Sequence, residues 1–322
     1  MIKLQRIILN SLPVRFVIRK SKKMILPGFE GIPLYDVGKF FFQQTQQIGL
    51  NDRAASISFN FLLAVPPLCI FIFTMLANLP WSQKLYIEAN DLIRQISPDE
   101  STYTILKSIM DDFFKPGSGF ISIGLILAIY FSSNAMINIM YTFNKSMLHI
   151  ETESRNFLEK RWEAIKLTVI LVFLIIGTLL VMLTQGALLD VIRKWLGLRD
   201  ESITWLVQLI RFSITFLLVF FAVALIYRFA PAVQKKWKLK SPGAILATSV
   251  ILIFTYLFSY WVNNFASYNK VYGSIGSILI LMLLVFVNSM VLLIGFELNV
   301  SINSLKSLAQ KRQKEENRKV TN

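Results

Sequence analysis

The 322-residue chain is poor in the side chains on which metal sites and most enzymes depend. Its single cysteine, Cys69, excludes an intrachain disulfide and every multi-cysteine metal site. Its single histidine, His149, removes most zinc and haem sites and leaves a histidine-based triad one candidate. That histidine lies near Glu151 and Glu153 between two apolar blocks, the setting of a solvated loop side chain. There is no Walker motif. Gly117, Gly119 and Gly124 form no nucleotide fingerprint, because no strand precedes them. Charged residues make up only 16%, against roughly 25% in soluble domains. Acids are the scarcer sign, 19 against 34 basic residues, for a net charge of +15. No catalytic residue, cofactor or metal is expected. The basic excess requires a negatively charged partner, either nucleic acid or an anionic membrane surface.

The hydrophobic residues, 54% of the chain, decide between those partners. They cluster in blocks long enough to cross a bilayer, which takes about 20 apolar residues at 1.5 Å rise each. Six such blocks run over Ala54–Ala77, Gly119–Tyr141, Ile165–Gln185, Trp205–Ala230, Pro242–Asn263 and Gly273–Asn299. No ten-residue alternating segments suggest a membrane barrel. Backbone groups in lipid must be satisfied within the segment, so each block is expected to be a helix. The predicted fold class is all-α, a polytopic integral membrane protein with six transmembrane helices. Residues 1–50 read as a basic N-terminal segment, 51–303 as the six-helix domain and 304–322 as a polar tail. Met1–Met24 is too charged for a signal peptide. It suits either an interfacial segment on an anionic leaflet or a solvated basic tail. Tyr35–Leu50, with Phe40, Phe41 and Phe42 beside several glutamines, reads as a second interfacial helix.

Lysines and arginines set the orientation. Nine precede the first block, four lie between the second and third, five between the fourth and fifth, and six in the tail. That places 24 on one side of the bilayer against eight on the other, with Lys166 and Arg211 inside blocks. Both termini are therefore expected in the cytoplasm, as an even number of spans requires. The basic excess then follows membrane topology, and nucleic acid is not expected as a partner.

Polar groups inside the blocks are costly and so are default functional candidates. Arg211 lies six residues into the fourth block, about 9 Å below its outer edge. Gln208, Arg211 and Thr215 share one helical face. Thr255, Ser259 and Asn263 line the outer half of the fifth block. Together these six residues are the candidate lining of a polar cavity suited to an anionic solute or a lipid head group. The alternative is that Arg211 snorkels to the interface. Glu297 is the only acid inside any block, roughly 27 Å deeper than Arg211, so the two cannot pair. Arg53, or Arg155, Arg161 and Lys166, are the available partners at the cytoplasmic end. Glu297, Asn299, Arg53 and Arg155 form a candidate gate or ion-pair cluster, with the structural tie favoured over a proton or cation site. Pro66-Pro67 frees backbone carbonyls within the first block and is expected to kink it.

A family resemblance rests on four places. In the sixth block, Tyr272-Gly273-Ser274-Ile275-Gly276 is followed by Gly295-Phe296-Glu297-Leu298-Asn299. Arg53-Ala54-Ala55 leads through Phe59 to Pro66-Pro67. Asn144 precedes Arg155, Phe157 and Arg161. Pro231 and Trp237 precede Pro242-Gly243-Ala244. In this order the motifs resemble the YihY/BrkB family of bacterial inner-membrane proteins, over roughly Tyr35 to Asn303. One departure is Leu284, where that family often has tryptophan. The resemblance implies six spans and an inner-membrane location, but names no substrate. The ribonuclease label attached to the family finds no support in paired acids or a histidine site. The leading expectation is a transporter-like protein moving an anionic solute or lipid-linked molecule. The alternative is a non-transporting scaffold for envelope proteins. Expected partners are membrane lipids, the anionic inner leaflet and a small-molecule or lipid substrate; self-association is left open.

Overall fold

The computed structural model describes residues 12–77, 82–97, 100–114, 120–147, 150, 152–183, 204–234, 236–265 and 274–321. Among these residues the protein is all-α, with ten helices and one isolated bridge, Thr152 to Val233. The helices are α1 (Leu12–Ser21), α2 (Leu34–Ile48), α3 (Leu50–Ala77), α4 (Ser82–Ile96) and α5 (Glu100–Phe114). They continue with α6 (Phe120–Ser146), α7 (Phe157–Leu183), α8 (Thr204–Phe229), α9 (Pro242–Phe265) and α10 (Ser274–Thr321).

Helices α3 and α6 to α10 fall on the six apolar blocks. Three segments, Gln208–Phe229, Pro242–Val262 and Ile278–Gln313, are long and apolar enough to cross a membrane, among the described residues. The helices outrun the blocks at their polar ends. α7 starts at Phe157, and α10 continues past Asn299 to Thr321. Hydropathy marks the stretch that lipid tolerates, whereas the backbone ladder runs on through good helix formers such as Lys, Gln, Glu and Arg. α3 is helical through Pro66 and Pro67.

The long helices close a ring in chain order. α3 packs on α6, α6 on α7, α7 on α8, α8 on α9 and α9 on α10, and α10 returns to α3. α4 and α5 pack against each other and against α3. At the other end of α3, Gly49 adopts the left-handed conformation (φ 66°) that ends α2, and the chain turns at once into α3. α2 is amphipathic, and its buried face, centred on Val37, packs with Phe29 against Ile302 of α10. A helix expected to lie at the interface thus has a protein partner.

The buried core lies at one end of the ring, the end bearing the loops before α7 and α9. Phe296 of α10 is its centre, fully buried. Phe143 of α6 stacks on it with centroids 3.6 Å apart, and Trp237 stacks at 5.3 Å. Tyr227 of α8 meets it edge-on at 5.8 Å and donates a 2.6 Å hydrogen bond to the Leu292 carbonyl. Helix association in lipid gains little from burying apolar surface, so close contact matters more. The closest contact is between α9 and α10, where Gly243 faces Gly295. A Cβ on Gly243 would lie 2.0 Å from the Gly295 carbonyl oxygen, and one on Gly295 would lie 2.6 Å from that of Gly243.

This crossing generates a pair of opposite expectations. Gly243→Ala should destabilise the protein by about 1–3 kcal/mol or more, because backbone rather than a mobile side chain must yield. Gly177→Ala in α7, where nothing lies within 4 Å, should be neutral or stabilising by up to about 1 kcal/mol. Thermal unfolding of both variants in the same detergent checks the contrast; equal behaviour would refute the tight crossing.

Candidate functional site: a buried carboxylate cluster and a basic turn

Glu297 is fully buried, and several kcal/mol of desolvation must be offset for each buried charge. Three helices supply the compensation. Arg53, in the first turn of α3, places Nη1 3.2 Å from Oε1 of Glu297. Ser146, the last residue of α6, donates its hydroxyl to the same oxygen. Gln44 of α2 donates Nε2 to Oε2 at 3.0 Å and to the Ser146 carbonyl at 3.1 Å. The second guanidinium nitrogen of Arg53 donates to the Thr142 carbonyl and to the Ser146 hydroxyl. The reversal at Gly49 lets Gln44 and Arg53, on either side of one turn, reach a single carboxylate. With both oxygens and both terminal nitrogens engaged, the group is a tie between helices. Among the described residues no cluster of His, Cys, Asp or Glu could hold a metal.

The other candidates fall elsewhere. Asn299, one turn from the glycine crossing, accepts from the Gly243 amide at 2.9 Å and donates to the Ser241 hydroxyl at 2.9 Å. It secures the start of α9 and does not touch Glu297. Arg155 donates to the carbonyls of Phe229 (3.4 Å) and Pro231 (3.1 Å). Arg161 reaches Asn134 at 2.6 Å, and Lys166 pairs with Glu163 at 2.7 Å. Asn144 accepts from the Ala232 amide at 3.0 Å, so the loop before α9 is fixed from both sides. On the opposite half of the ring, Arg211 and Thr215 are half-buried, while Gln208, Thr255 and Ser259 are exposed. The side chain of Asn263, together with Tyr272 and Gly273, lies outside the described residues; Gly276 is buried.

Sequence reasoning missed a second charged site. Between α1 and α2, Gly28 and Gly31 both have φ of 86°, and Glu30 between them has φ of 53°. A left-handed non-glycine residue costs about 1–2 kcal/mol. The turn is held by the Phe29 amide to Leu26 (3.1 Å), by Ile32 to Phe29 (3.0 Å), and by burial of the Phe29 ring. Gly28 lies so close to Pro242 that a Cβ would meet the proline ring at 2.8 Å. Glu30 is thereby presented to Lys306 (2.8 Å) and Lys238 (3.2 Å). Hydrogen bonding from these two ammonium groups, Lys306 first, holds its carboxyl below the ordinary value of 4.5. The flanking glycines were the signal for a turn, but nothing near them pointed to lysines 208 and 276 residues away.

These features define an all-helical membrane protein whose polar residues tie helix ends together. A family model described as virulence factor BrkB matches residues 41–321, and the chain belongs to that family. Among curated proteins it is 29% identical over 260 residues to YfkH of Bacillus subtilis, which is named as ribonuclease-like; the match covers 80% of this chain and 92% of that one. It is 24% identical to the UPF0761 membrane protein NTHI0384 of Haemophilus influenzae, covering 85% and 97%. It is 25% identical to the UPF0761 membrane protein Smlt0865 of Stenotrophomonas maltophilia, covering 84% of this chain and 61% of that longer one. No solved structure matches.

Two expectations follow from this geometry. Arg53→Leu and Glu297→Leu should each destabilise the protein by about 3–5 kcal/mol, since each strands a buried charge. The double variant should cost clearly less than the two losses combined, and a double-mutant cycle by thermal unfolding checks this; strict additivity would refute the tie. For Glu30, the folded pKa lies below the unfolded one, so its stabilisation is present above about 4.5 and is lost as pH falls through the lowered folded value. The stability gap between wild type and Glu30→Gln should be under about 1 kcal/mol, because the pair is partly exposed. It should be constant from pH 7 to 5 and close toward pH 3 in unfolding measurements. A gap unchanged in acid would assign the contribution to something other than charge.

Proposed function

We propose that this chain is a transporter-like protein of the bacterial inner membrane that moves an anionic solute or lipid-linked molecule. In this reading α3 and α6 to α10 are its six spans and both termini are cytoplasmic. The observation that carries the proposal is Arg211. It lies in the first turn of the apolar segment Gln208–Phe229, half-buried, with no acidic partner among the described residues. A guanidinium at that depth is costly unless something negative meets it, and intramembrane ionisable residues mark solute pathways by default. Gln208 and Thr215 on the same face extend the polar stripe. The six long helices and the 24-to-eight partition of basic residues support the topology.

Native mass spectrometry of the gently purified protein, paired with anion flux in liposomes, tests the proposal. The wild type should carry an anionic amphiphile or pass an anion. Arg211→Leu should reduce that signal by about tenfold or more, a loss of about 1.4 kcal/mol, with its unfolding profile unchanged. Arg211→Lys, which keeps the charge, should retain part of it. Full binding and flux in Arg211→Leu would overturn the pathway. A protein co-purifying at fixed stoichiometry without flux would establish the scaffold instead.

A further inference from the structure

At the packed end of the ring, the loop before α9, the Gly28–Gly31 turn and the extension of α10 enclose a cleft of about 550 Å³. That size is typical of small-ligand sites. Its walls carry five lysines, Lys236, Lys238, Lys240, Lys306 and Lys311, against one acid, Glu30. The cleft therefore has a formal surplus of four positive charges. Its floor is polar, formed by Ser241 and Asn299 at the start of α9, where the positive end of the helix dipole adds to the field. The walls are anchored to the buried core. Trp237 is buried against Phe296, Thr152 bridges Val233, and the Nζ of Lys236 sits 4.6 Å from the Phe229 ring. Among the side chains that are described, no carboxylate pairs with Lys240 or Lys311, and the one carboxylate lining the cleft bridges Lys238 and Lys306.

We propose that this cleft binds a phosphate group, and that the phosphate displaces Glu30 from its place between Lys238 and Lys306. A phosphate monoester carries about −1.5 to −2 charge at neutral pH and accepts through three oxygens, so it can engage more of the lining ammonium groups than one carboxylate does. Pro242, the first residue of the apolar segment Pro242–Val262, lines the cleft, so the phosphate can come from a lipid head group or from a free phosphorylated solute. Glu30 is a built-in competitor. Its turn holds the carboxylate in place, yet its ion pairs are exposed enough to open. The site is separate from the Arg211 stripe and stands whether or not the protein transports.

The test titrates the purified full-length protein with inorganic phosphate and, separately, with short-chain phosphatidic acid. Potassium chloride at matched ionic strength is the reference, and binding is read by thermal shift and native mass spectrometry. Either ligand should bind saturably above the chloride control. Phosphate binding without phosphatidic acid binding identifies a soluble source, and the reverse identifies a lipid head group. Lys240→Gln/Lys311→Gln should weaken binding about tenfold, whereas Lys240→Arg/Lys311→Arg should preserve it. Glu30→Gln should tighten binding by about fivefold, by removing the competitor. No binding of either ligand, or binding indifferent to the glutamine pair, would overturn the site. Unchanged affinity in Glu30→Gln would overturn the displacement.

Discussion

A carboxylate with no exposed surface sits within the apolar stretch of a long helix, and the arrangement of one whole end of the protein follows from it. Glu297 cannot stay charged there unless donors arrive from elsewhere in the chain. They come from α2, α3 and α6. Each of those helices must therefore end or begin at the level of this oxygen pair. Gly49 meets that requirement by turning the chain within one residue, and Ser146 meets it by ending α6 at the carboxylate. Where lipid removes most of the advantage of apolar burial between helices, such polar ties and close backbone contacts set which helices are neighbours.

The two ends of the ring consequently differ. At the basic end, a buried ion pair, a glycine-to-glycine crossing and three aromatic rings around Phe296 fix α3, α6, α8, α9 and α10 together. The connecting loop before α9 is held by Arg155, Asn144 and Asn299 through backbone groups. At the other end, large side chains such as Phe212, Tyr256 and Ile278 face outward, and the polar stripe on α8 and α9 is open.

Much of this architecture was legible because lipid leaves a plain mark on sequence. Six apolar blocks stand out against charged connectors, and the helices fall on them. Helix ends were less legible, since α7 and α10 run on into polar residues that hydropathy does not count. For Glu297, rise per residue removed Arg211 as a partner and left four basic residues, of which the structure brings Arg53 to the carboxylate. Gln44 and Ser146 could not be read in this way. They are ordinary polar residues until the ring closes, and closure is a property of all six helices. The same holds for Glu30, whose lysines lie on two distant segments. Arg155 and Asn144 were visible as motif residues, but their targets are backbone atoms, which carry no sequence signal.

The ring also has a temporal side. Each long helix packs on the one made just before it, whereas α10 also returns to the early helices α2 and α3. That return comes last. Arg53 leaves the ribosome 244 residues ahead of Glu297, which at about 5–20 residues per second is a wait of roughly 10–50 seconds. During that interval the guanidinium has no carboxylate to pair with. The nascent protein is thus an open five-helix arc with an unmatched charge at its free edge, and completion of the final helix both neutralises the charge and closes the arc.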